Sequence, residues 1–236
     1  MNHKKIALLL LLAASCTVTV SSAADDDLKD MRVEKSYKDW YLVRTDNIRN
    51  IKTWAKQEDG KRIRSFKLEV LIDGSLDAVA RVHYDVENIK RWFWETKESR
   101  LLKKVSNTEY YYYQVYNAPL TVPDRDSVVH VSIEPYSAKK GFMMHRLRAA
   151  PDFMPPQKGL TRVLAQDMTI KFTPVGKDKT RLEAEGYIDP GGTIPAWTIN
   201  FVQRSAPYVS MVGLQRMVQL PYYSEASDPP LFSITE

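Results

Sequence analysis

The chain predicts an α+β fold in which a strongly curved antiparallel β-sheet wraps around a long C-terminal helix. Three observations carry this prediction. Apolar residues alternate in short runs between about residues 48 and 188, the two-residue period of half-buried strands. After the break Pro190-Gly191-Gly192, the residues Trp197, Phe201, Val202, Val209, Val212 and Met217 recur at near-helical spacing. No internal repeat or low-complexity linker divides the 236 residues, so a single domain is expected over 24–223. A closed sheet sandwich would have no need of the last helix.

The order of elements begins with a leader. Lys4-Lys5, an apolar run from Ile6 to Ala14 and the small residues Ser21-Ser22-Ala23-Ala24 have the charged, apolar and small-residue order of a secretory signal over 1–23, too short to span a bilayer. The protein is therefore expected to be exported, soluble and periplasmic. A second possibility stays open: Ala13-Ala14-Ser15-Cys16 loosely resembles a lipoprotein cleavage box, which would leave Cys16 as an acylated anchor. Cys16 is the only cysteine, so the domain after a leader cut at 23 has no disulfide, thiolate metal site or cysteine nucleophile. Loss of Lys4 and Lys5 would take 34 basic residues to 32 against 29 acidic ones, a mild +3. Basic and acidic residues are interspersed, as in Lys90, Arg91, Glu95, Lys97, Glu98 and Arg100, which reads as a solvated surface and not a nucleic-acid stripe.

A helix over 28–42 is expected to dock through Tyr37, Trp40 and Leu42. Strands over 48–56 and 63–72 follow, joined as a hairpin by Glu58-Asp59-Gly60-Lys61. Gly74-Ser75 supplies a turn and N-cap for a short helix, with a second helical piece over 86–93. Six further strands are read at 101–105, 110–116, 127–133, 142–149, 163–172 and 181–188, giving eight or nine in all. The segment 151–156 is a loop, and the tail 224–236 is expected to be extended and poorly packed. At the last break Pro190, Gly191 and Gly192 stop the strand, Thr193 serves as N-cap and Pro195 falls in the first turn. Pro207 should kink the following helix or split it in two.

Four segments in this order resemble the START (steroidogenic-acute-regulatory-related lipid-transfer) family, especially an exported bacterial branch. They are Trp40-Tyr41-Leu42, the turn Asp73-Gly74-Ser75, the strand opening Val122-Pro123-Asp124-Arg125-Asp126, and 189–200 with its helix. The resemblance implies a helix-grip fold enclosing an apolar cavity, roofed by the C-terminal helix and a loop at 117–124. It also implies a non-catalytic role in binding, transferring or sensing a hydrophobic molecule such as a phospholipid, a fatty acid or a sterol-like lipid. Transient contact with a membrane surface, no cofactor and a monomeric state go with it. The roof candidates are Pro119, Leu120 and Val122 in the loop, and Trp197, Phe201, Met211 and Leu214 in the helix.

Other candidates come from the residues themselves. The run 110–113 is four tyrosines, two per sheet face, and one pair could offer hydroxyls to a lipid; Tyr111 and Tyr113 are taken as that pair. Met144 and Arg146 share a strand face opposite Met143 and His145, and an inward Arg146 would need a carboxylate such as Asp167 or a ligand headgroup. Arg125 and Asp126 are read as a structural gate that pins the loop base. His83, His130 and His145 follow the leader without metal-ligand spacing. The resemblance also implies an alternative, a cavity enzyme of the cyclase or dehydratase kind, with Asp167 or Glu183 and His145 in acid–base roles, although no nucleophile motif accompanies them.

Overall fold

A computed structural model describes residues 39–61, 63–118, 122–194 and 196–236. The expected leader and most of the expected first helix lie outside them. Alternating apolar residues produce ten strands: β1 Tyr41–Asp46, β2 Ile51–Lys56, β3 Ser65–Asp73, β4 Thr96–Ser106, β5 Glu109–Tyr116, β6 Arg125–Glu134, β7 Met143–Ala149, β8 Thr161–Arg162, β9 Ala165–Val175 and β10 Lys179–Asp189. Their order across the sheet is β1-β2-β3-β10-β9-β7-β6-β5-β4, antiparallel at each step, so the sheet is open, with β1 and β4 at its two edges. The two-residue β8 pairs parallel with β6 off this path.

Among the described residues three helices join the sheet, α1 Leu76–Tyr84, α2 Ala196–Val218 and α3 Pro221–Ser224, with 3-10 turns over Val86–Arg91 and Pro151–Phe153. Ser75 caps α1 by accepting a hydrogen bond from the Ala78 amide at 3.2 Å, and α1 buries Val79, Ala80 and Val82. At the strand-to-helix break, Asp189 accepts the Gly191 amide at 2.9 Å, and Gly191 and Gly192 take φ of 68° and 62°, a backbone that glycine adopts without a Cβ penalty.

The inner face of the sheet carries Leu68, Val70 and Ile72 of β3, Val129, Val131 and Ile133 of β6, and Met168, Ile170 and Phe172 of β9, all buried. Helix α2 packs across it. A Cβ on Gly213 would stand 2.4 Å from the Trp92 carbonyl oxygen, so only glycine allows this approach of helix and backbone. The Gln215 amide donates to the carbonyls of Arg49 (2.7 Å) and Leu71 (3.2 Å), and the Gln219 amide to that of Asp73.

Four expectations need correction. Residues 41–46 form an edge strand, where Leu42 is exposed, so the expected docking of Leu42 from a helix is overturned. Ten strands replace eight or nine, because β1 and the two-residue β8 carry too little alternation to be read. Helix α2 is not split in two at Pro207 but is one helix on both sides of it. The tail packs: Phe232 and Ile234 are buried, the Tyr84 hydroxyl donates to the Ser233 carbonyl at 2.7 Å, and Thr235 bridges to Tyr136.

Candidate functional site

Between the sheet and α2 lies a cavity of about 210 Å³. Its floor is inner-face strand residues: Phe66 and Leu68 of β3, Met168 and Ile170 of β9, and Leu182, Ala184 and Ile188 of β10. Its roof is the α2 face made by Val202, Ala206, Pro207, Ser210 and Met211, one helical stripe. The aromatic run Trp92-Phe93-Trp94 forms a side wall, and the Trp94 amide donates to the Ser210 hydroxyl at 3.1 Å, tying wall to roof. Arg125 is the only charged side chain among the described lining residues. A smaller chamber of about 50 Å³ lies beside it and shares His83, Trp92, Tyr116 and Met168 with it. Tyr110, Tyr112, Gln114, His145 and Gln166 turn this second space polar.

Burial shapes the chemistry of these groups. His83 Nδ1 lies 3.0 Å from the Val79 carbonyl, yet burial holds its pKa down to about 4. Burial and the nearby His83 push His145 well below the ordinary value, so both rings are neutral at pH 7. Burial raises Tyr110, Tyr112 and Tyr116, which stay protonated. Trp92 Nε1 and His145 Nε2 are buried without a hydrogen-bond partner among the described residues. No cluster of three or more metal-ligating side chains occurs among those residues, and no described helix is long and apolar enough to cross a membrane.

The comparison with protein families turns this geometry into kinship: the START domain matches residues 20–218. The chain belongs to the START family. The crystal structure of the STAR-related lipid transfer protein from Xanthomonas axonopodis is similar, with 28% identity, a TM-score of 0.70, and coverage of 77% of this chain and 99% of that one. Human STARD10 shares the fold at 20% identity and a TM-score of 0.66, covering 89% and 91%. The uncharacterized protein PA1579 of Pseudomonas aeruginosa is 26% identical over 177 residues, 75% of this chain and 85% of that protein. The curved sheet and long C-terminal helix are thus the START helix-grip fold.

Within this START fold, Val122, Met211 and Arg125 line the cavity. Leu214 is fully buried in the core beside it. Phe201 is 55% exposed, because the roof stripe passes through Val202 instead. Pro119 and Leu120 lie outside the described residues, as does the side chain of Trp197. Five candidates sit on the wrong face. Tyr111 stacks on His130 and Phe153 on the outer face, with ring centroids 4.5 and 4.2 Å away. The Tyr113 hydroxyl donates to Asp126 at 3.2 Å on that same face. Arg146 is exposed, and Met144 shares its strand face. Asp167 is exposed and lies 3.8 Å from Arg148, not near Arg146. The strand pairs Tyr112↔Val129 and Tyr110↔Val131 put the other two tyrosines inward.

The gate residues divide. Arg125 donates to the Pro123 carbonyl at the loop end. Asp126 does not pin the loop; it holds Arg162 through two hydrogen bonds of 3.0 and 2.9 Å, and Arg162 in turn donates to the carbonyls of Pro151, Met154 and Pro155. Asp124 performs the pinning, accepting from the Ala118 amide at 3.0 Å and Lys97 at 2.7 Å, contacts that lower its pKa. Sequence reading missed Arg162, His83 and the wall Trp92-Phe93-Trp94. The aromatic run directly after a helix was a legible signal for the wall; Arg162 had none, since its partner lies 36 residues away.

Proposed function

We propose that this START protein is a non-catalytic carrier or sensor of a hydrophobic molecule, held between sheet and helix and released by opening of the roof. The observation that carries the reading is the apolar cavity under α2, with Arg125 the one charged side chain among its described lining residues. Exposing one sixteen-carbon chain to water at ~0.8 kcal/mol per methylene costs on the order of 13 kcal/mol, so a protein cavity that replaces bilayer makes exchange near neutral without covalent chemistry. The roof is the α2 face from Val202 to Met211 together with the loop 117–124, and it opens at Pro207, whose missing N–H removes one helical hydrogen bond. The leader reading places the work in the periplasm, with a brief contact at the membrane surface during loading.

The enzyme alternative has less support from the geometry. Asp167 and Glu183 are on the outer face, Glu183 lying 3.4 Å from Lys171, while His145 is inside. The acid–base pair is therefore split by the sheet.

Native mass spectrometry of protein purified without detergent tests the proposal, paired with exchange of labelled lipid between vesicles. A bound lipid and accelerated exchange are expected, and Ala206→Trp, which fills the roofed space, should abolish both while the protein stays folded. Unchanged exchange by the Ala206→Trp protein would reject the cavity as the carrier site.

A further inference from the structure

The tail that follows α3 lies beyond the residues matched by the START domain, yet it is fastened into the fold. The Ser233 amide donates to the Asn107 carbonyl at 2.8 Å, the Tyr136 amide to the Ile234 carbonyl at 2.8 Å, and the Glu236 amide to the Tyr136 carbonyl at 3.0 Å. These bonds tie it to the β4–β5 turn and to the segment just after β6. Between them Phe232 is buried, with 1% of its surface exposed.

Phe232 stands between two spaces. On one side its ring stacks on Tyr110, with centroids 4.2 Å and planes 23° apart, and lies edge-on to Tyr84 at 5.4 Å. Tyr110 lines the small chamber, as does His145, on which Tyr84 stacks at 5.5 Å. On the other side Phe232 lines an open groove of about 700 Å³ with Lys104, Asn107 and Tyr136, and Lys104 Nζ lies 5.1 Å from its ring centroid. Two stacked rings, Tyr110 and Phe232, thus stand between chamber and groove. While Phe232 fills the space behind it, the Tyr110 ring cannot swing outward, because a close-packed interior leaves no room for it.

We infer that the tail is the end stop of the cavity: Phe232 holds the Tyr110 ring in place and so sets the greatest length of ligand that cavity and chamber accept. The inference rests on the carrier reading above and deepens it by naming a property that selects the ligand, its length. The leading end of a ligand passes from the space of about 210 Å³ into that of about 50 Å³ and meets the Tyr110 ring. Each methylene added before that point takes apolar area out of water. One added beyond it must displace a packed ring or push the other end out through the roof.

The test is displacement of the fluorophore N-phenyl-1-naphthylamine from the intact protein by straight-chain saturated fatty acids of about ten to twenty carbons, compared by free concentration. Displacing power should rise about fourfold per added methylene up to one length and then level off or fall. Phe232→Ala should move that length up by roughly two to four carbons, about the space of the lost ring. Phe232→Leu, which keeps an apolar side chain in the core, should move it in the same direction by a smaller step and serves if the alanine protein does not fold. Leu231→Ala, at a half-exposed neighbour in the same tail, should leave it where it was. A steady gain through twenty carbons in the unsubstituted protein would overturn the stop, and so would an optimum that Phe232→Ala or Phe232→Leu leaves unmoved or that Leu231→Ala moves as far. Each of these results leaves the carrier reading intact. A protein that takes up neither probe nor fatty acid would overturn both.

Discussion

Asp126 and Arg162 keep only 1% and 6% of their side chains exposed, and the pair joins β6 to β8 and to three carbonyls of the 151–155 turn. Removing one partner leaves a buried charge unanswered, so Arg162→Met should cost about 3–5 kcal/mol in urea denaturation. Adding Asp126→Leu should recover part of that loss, since an apolar pair carries no desolvation penalty. His83 sets a pH dependence whose sign follows from its depressed pKa. Between pH 6.5 and about 4 the unfolded chain binds a proton that the folded protein refuses, so stability falls as pH drops through that window, by at most about 3 kcal/mol. His83→Phe should make the denaturation midpoint less steep across that range, leaving the share of the buried, neutral His145; an unchanged slope would assign it to other groups. Neither residue was legible as it stands: the sequence shows four histidines and many arginines, but burial, which gives His83, His145 and Arg162 their properties, is set by distant strands.

At the scale of elements, the tail and α2 show how a few contacts fix a position. Phe232 stacks on Tyr110 with ring centroids 4.2 Å apart, and Lys104 donates to the Leu231 carbonyl at 2.6 Å. Deleting residues 226–236 would take Phe232 and Ile234 out of the core, each worth about 1.5–3 kcal/mol when buried, so a loss of about 3–6 kcal/mol is expected by chemical denaturation. No change in stability would return the tail to the loose strand that its prolines and serines suggest. Helix α2 is held past its midpoint: the Tyr208 hydroxyl donates to Asp46 at 2.7 Å, and Arg44 lies 3.5 Å from the Tyr208 ring centroid. That hydroxyl, with the Arg49 amide, holds Asp46 down to about 2. The existence of α2 was legible from its spacing and flanking glycines. Which stripe it turns inward was not, because Phe201 and Val202 are equally apolar and only the sheet beneath chooses between them.

For the molecule as a whole, a ligand that binds only the folded state must raise its stability. At a hundredfold excess over Kd the gain is about 2.7 kcal/mol, and for a domain of this size that is a rise in Tm of roughly 5–10 °C. A lipid accepted by the cavity should produce this shift in a thermal melt, and Ala206→Trp should remove it. A shift that survives the substitution would place the lipid elsewhere.

The sequence by itself determined the fold class, the order of strands around two short helical pieces, the break at Pro190-Gly191-Gly192 and the long final helix. These depend on local rules: the period of apolar residues, the absence of an N–H on proline and the backbone freedom of glycine. The tertiary structure alone decided which strand face is inner. In β5 tyrosines occupy both faces, and in β7 methionines do, so alternation there has no sign of its own. Its phase comes from pairing with β6, whose Val129, Val131 and Ile133 face the helix, and that register joins residues far apart in the chain. The same pairing set Tyr112 and His145 inside and Tyr111 and Arg146 outside, and so chose the residues that any ligand in the cavity would meet.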